Sequence, residues 1–99
     1  MSDTIEVRNV NHPDYRGRAN REKYEAMHAA LMLVVPSEAP GARVNDLRES
    51  LLPHLDQTLF PGGAKSGWWL KTVHLDLEAK GVLRRADKPP VRLYRVPHG

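Results

Sequence analysis

The sequence predicts a small α+β domain: three helices followed by a C-terminal β-hairpin, with a strand or arm in front. Three observations carry this. Hydrophobic spacing changes from a period of two to a period of 3.6 at Asn20. Two further helical segments follow, the last closed by Gly81. Beyond Gly81, VLRRA and VRLYRV read as strands on either side of a stiff DKPP tip. Residues 1–19 form the strand or arm and residues 20–99 the helical domain, a single domain overall, as a chain of 99 residues allows.

Taken in order, TIEVRNV sets Ile5 and Val7 against Glu6 and Arg8, a short strand. NHPD is a turn, and YRGRA is a second strand or an arm. From Asn20, a fitting N-cap, Tyr24, Met27, His28, Leu31, Val34 and Val35 share one face of a helix that Pro36 ends. PSEAPGA reads as a loop. A second helix is expected from Asn45 as N-cap through Leu47 and Leu51, shortened or kinked at Pro53. Leu55, Leu59 and Phe60 cover the core from the following turn. Ser66 is expected to cap helix three, with Gly81 in the left-handed conformation past its end.

The order of elements, and above all the run Leu77-Glu78-Ala79-Lys80-Gly81-Val82-Leu83 at the junction of last helix and hairpin, resembles the winged helix-turn-helix superfamily over about residues 20 to 96. The resemblance implies a three-helix core plus a C-terminal β-hairpin wing, with the N-terminal strand or arm as an addition. One position departs from it: His74 stands where an aliphatic residue is usual. The whole chain also resembles a group of small bacterial proteins that share an NVNHP segment and an FPGGAK–GWW segment, a group that implies no activity.

On helix three, Leu70, Val73, His74, Leu77 and Gly81 make the core side. Trp68, Thr72, Leu75 and Ala79 lie opposite, flanked by Lys71 and Glu78 on one side and by Trp69 and Asp76 on the other. A helix apolar on two sides is usually covered on two sides. Trp68 and Leu75 are therefore expected under the N-terminal arm, in an interface with a second copy or another protein, or against nucleic acid. Asp76, read as a surface charge, would repel phosphate.

Charge is concentrated at the C-terminus. Arg84, Arg85, Lys88, Arg92 and Arg95 face a single acid, Asp87, giving +4 over residues 81–99 in a chain of net charge +3. Such a patch suits a phosphate backbone, although an exposed hairpin also carries cations to block edge pairing. The leading expectation is a small regulatory or accessory nucleic-acid-binding module with duplex DNA as partner. Its contacts would be Lys65, Ser66, Lys71 and Thr72 on helix three and Arg84, Arg85, Lys88, Arg92 and Arg95 on the wing. The alternative is a protein-interaction or homodimerisation module using Trp68 and Leu75.

Other classes are excluded on chemistry. FPGGAKSGWW is no P-loop, because Ala64 precedes Lys65 and Leu59 stands where the first glycine is needed. Gly62 and Gly63 instead suit a tight turn into helix three. There is no cysteine for a disulfide or a thiolate site. His12, His28, His54, His74 and His98 form no HExxH, and the His-x-Asp pairs at 54–56 and 74–76 diverge on a helix. His28 and His74 sit on apolar stripes as core residues. No enzyme, cofactor, metal or nucleotide is expected. MSDTIEVRN has no signal-peptide pattern and no apolar run could span a bilayer, so the expected location is cytoplasmic.

Overall fold

A computed structural model describes residues 3–96, and His98 lies outside them. The chain begins with a two-stranded antiparallel hairpin. Strand β1 (Thr4–Val7) pairs with β2 (Gly17–Asn20), Thr4 opposite Asn20 and Val7 opposite Gly17. Helix α1 (Arg21–Val34) follows at once. Its N-cap is Asn20, whose side-chain oxygen accepts from the Lys23 amide at 3.0 Å, satisfying one of the donors a helix start leaves open. The residue ahead of Pro36, Val35, is extended and closes the helix.

Ala42–Arg43 is a short strand, β3, in the segment expected as loop and its border. It pairs antiparallel with the hairpin, Ala42 opposite Leu93 and Arg43 opposite Arg92. Gly41 makes this possible. At φ 86°, a Cβ there would stand 2.0 Å from the Leu93 carbonyl oxygen, so only glycine lets the two backbones approach. The chain runs straight from β3 into helix α2 (Val44–Leu51), so the N-cap is Arg43 and Asn45 lies inside the first turn. Pro53 falls in a 3-10 turn, Leu52–His54, as its missing donor requires.

After a second 3-10 turn, Pro61–Gly63, helix α3 runs Ser66–Ala79. Its N-cap is Lys65 in the left-handed conformation, with no side-chain cap bond; Ser66 is the first helical residue, not the cap. The C-terminus is a Schellman motif. Gly81, at φ 79°, donates to the Glu78 carbonyl and Val82 to the Leu77 carbonyl. Strands β4 (Leu83–Arg85) and β5 (Arg92–Arg95) then form the wing, and the sheet order is β3-β5-β4. Three helices with a short strand after the first and a hairpin after the third make a winged-helix arrangement, preceded by an N-terminal hairpin. The core joins Tyr24, Met27 and Leu31 of α1, Leu47 and Leu51 of α2, Phe60, and Leu70, Val73 and Leu77 of α3. Leu83 and Leu93 of the wing, Val7 and Ala19 of the N-terminal hairpin, and Leu55 and Trp69 also belong to it.

Candidate functional site

Helix α3 is buried on every side from Val73 to Glu78. The core side is the one the periodicity predicts for Leu70, Val73, His74 and Leu77, but Gly81, expected on the same side, lies beyond the end of the helix and is exposed. The other side is covered by the N-terminal arm. The Val10 amide donates to the Leu75 carbonyl at 3.3 Å, and the Arg8 amide donates to Asp76 Oδ1 at 2.8 Å. Leu75 is thereby left 7% exposed, so it is not an open interface residue. Trp68 stays 59% exposed, while Trp69 beside it is buried.

Asp76 is the largest departure from the helical-wheel reading. It is not a surface charge that repels phosphate; it is fully buried. Besides the Arg8 amide, it accepts from the Tyr24 hydroxyl and pairs with Lys80 Nζ at 2.9 Å. Burial, and then the hydrogen bond to this carboxylate, push the Tyr24 phenol well above its ordinary value. One side chain thus ties the arm, α1 and α3 together.

A second buried cluster joins α3 to the wing. His74 Nδ1 lies 2.8 Å from Glu78 Oε2, and Arg85 reaches Glu78 through Nε at 2.5 Å and through its terminal nitrogen at 3.0 Å. Burial alone would raise the Glu78 carboxyl, but the hydrogen bonds from His74 and Arg85 and the Arg85 charge hold it below its ordinary value. Polar His74 is therefore tolerated at an aliphatic position because Glu78, one turn on, supplies its partner. Arg85 closes the α3–wing junction and is not a free cation of the wing.

Register decides which wing arginines face outward. Leu83 is opposite Arg95 and Arg85 opposite Leu93, and with Leu83 and Leu93 buried this is the inner face. Arg95 therefore turns inward, its Nε buried without a hydrogen-bond partner among the described residues. The outer face carries Arg84 opposite Tyr94 and, through β3, Arg92 opposite Arg43. Lys88 is exposed in the connection between the strands. Arg43 escapes a sequence reading because a two-residue strand shows no periodicity. Its guanidinium pairs with Asp46 at 3.2 Å, both half exposed.

The remaining expected contacts divide in the same way. Lys65 and Lys71 are exposed and Thr72 is half-buried on the first turns of α3. Ser66 is fully buried, its Oγ lacking a hydrogen-bond partner among the described residues. A Cβ on Gly63 would lie 3.8 Å from that Oγ, so the hydroxyl points into the turn before the helix, away from any surface. His28 is half-buried and packs edge-on to Tyr24 at 6.0 Å, and burial holds its imidazole below the ordinary value. No helix among the described residues is long and apolar enough to cross a membrane.

These features define a small α+β fold in a winged-helix-like arrangement, whose third helix is covered by its own N-terminal arm and whose sheet shows a basic outer face. The chain belongs to a family of unknown function, DUF6958, whose model matches residues 4–93. The match starts at the first residue of β1, so arm and helices fall within one family unit. No curated protein and no solved structure matches the chain.

Proposed function

We propose that this protein is a small nucleic-acid-binding module, regulatory or accessory in role, whose outer sheet face rests on the phosphate backbone. One observation carries the reading: Arg43 and Arg92 stand directly opposite each other on that face, with Arg84 beside Tyr94 next to them. Like charges directly across a strand pair are destabilising. Among the described residues, Asp46 pairs with Arg43 and no carboxylate pairs with Arg92. A row of phosphates would relieve the repulsion and supply each guanidinium with acceptors in its preferred fork geometry.

Such contacts give affinity without sequence information. Helix α3 adds little readout, because beyond Thr72 its surface is closed until Ala79. Weak sequence preference is therefore expected. The test is anisotropy with a labelled random-sequence duplex between roughly 50 and 200 mM salt. Arg84→Gln with Arg92→Gln should weaken binding and reduce the salt slope by about 0.9 for each phosphate that is no longer neutralised. No binding at the lowest salt, or an unchanged slope in the double variant, would refute the proposal. A protein or second-copy interface would have to be built on Trp68 without Leu75, and sedimentation of the intact chain as a dimer would support it.

A further inference from the structure

Between the arm and the first turns of α3 lies a groove of about 360 Å³. Val7 and Leu75, both buried, make its floor, and Trp68 and Tyr15 contribute two half-exposed aromatic rings. Lys71 and Arg8 add cations to the lining beside Asn9, His12 and Thr72; Arg8 also pairs with Glu6 at 3.5 Å, half exposed, and no carboxylate lines the groove among the described residues.

Both rings are positioned by their neighbours. Trp68 stands edge-on to buried Trp69, with ring centres 4.9 Å apart, and Trp69 stands edge-on to buried Phe60 at 6.3 Å. This aromatic ladder runs from the core to the surface and holds an indole that keeps 59% of its area exposed. Tyr15 lies over Gly17, where a Cβ would come within 2.1 Å of its hydroxyl oxygen; glycine leaves the seat the ring occupies. Each ring keeps about half of its area exposed, Tyr15 49% and Trp68 59%, and such a pair beside Lys71 and Arg8 complements a flat aromatic ligand carrying negative charge.

We infer that this groove binds an unpaired nucleobase and its adjoining phosphate from a single strand, the base against Trp68 and Tyr15 and the phosphate at Arg8 and Lys71. The inference rests on the nucleic-acid reading above but uses a separate surface. A planar base uses both rings, whereas one aliphatic anchor of an acidic peptide would cover only part of them. Stacking on exposed aromatics beside a cationic track is the general mode for single strands and tolerates any base.

The test uses the full chain with three probes: a labelled oligothymidylate of about ten nucleotides, on the scale of the known site sizes, a random duplex of equal length, and a glutamate-rich peptide with a central leucine. Oligothymidylate should quench tryptophan fluorescence. Trp68→Ala, at an exposed position, should weaken oligothymidylate binding at least tenfold, within the range for one lost stacked base, and leave duplex affinity within twofold. Lys71→Ala should show the same selectivity with a smaller loss. Arg84→Gln with Arg92→Gln should do the reverse. Absent quenching, or equal loss of both nucleic acids in Trp68→Ala, with duplex binding intact in the unaltered chain, would overturn the groove assignment and leave the wing proposal standing. Binding of oligothymidylate but not of the duplex by the unaltered chain would overturn the wing proposal and spare the groove. Tighter binding of the peptide than of oligothymidylate would overturn the inference in favour of a protein partner.

Discussion

Replacing Asp76 with alanine should release the N-terminal arm from α3 and destabilise the protein by about 2–4 kcal/mol. The value follows from what the carboxylate holds. The Arg8 amide, 2.8 Å from Oδ1, and the buried Tyr24 hydroxyl would both lose their acceptor. Each buried donor left unpaired costs about 1–3 kcal/mol. The Arg8 end is only part-buried, so water can reach it and the sum falls below the upper limit. Lys80, with 37% of its side chain exposed, adds little because solvent screens it. Tyr24→Phe removes a single donor and should cost about 0.5–1.5 kcal/mol. Urea unfolding of both single variants and the double variant gives the coupling between the two groups, and amide exchange reads the arm directly. The Arg8 and Val10 amides should exchange faster in Asp76→Ala and keep their protection in Tyr24→Phe. A loss below about 1 kcal/mol, smaller than one orphaned donor, or unaltered exchange at Arg8 would refute the idea that Asp76 pins the arm.

Three further outcomes are expected. Leu77→Ala should cost about 2–5 kcal/mol by chemical denaturation, as a fully buried large-to-small change at the centre of the core; under about half a kcal/mol would mean that α3 packs on another face. Glu78→Gln breaks a buried pair, which typically costs about 3–5 kcal/mol, with the low end expected because Arg85 remains a third exposed. Its pH signature is specific: the Glu78 carboxyl is held below its ordinary 4.5, so its stabilisation is complete above that pH and disappears as pH falls through the folded value. The variant should therefore show a shallower loss of melting temperature in acid than the unaltered chain, and an equal slope would count against the cluster. Finally, Gly81→Ala meets no neighbour within 4 Å and should lose only the left-handed backbone preference, about 1–2 kcal/mol, whereas Gly41→Ala adds a backbone clash and should lose more. Equal melting temperatures for these two variants would argue against the close approach of Gly41 to β5.

The order of elements was legible from the chain because each rests on a local cause. Asn20 caps α1 within three residues of itself, Pro36 ends it, and Gly81 supplies the left-handed turn into the wing. The core side of α3 followed from helical spacing alone. The sequence read alone misses β3, because two residues carry no period and their strand character comes from Leu93 and Arg92 across the sheet. It also takes Asp76 and Glu78 for surface charges, because a helical wheel gives one face to the core and leaves the rest to solvent. The arm and the wing close those other faces. Arg84 and Arg85 are adjacent and chemically identical, yet register turns one outward and the other onto Glu78. Asp76 takes its buried role from the Arg8 amide, 68 residues away. Local spacing sets which residues share a face, but only the packed chain sets what lies against that face, and with it whether a charge is structural or free to bind.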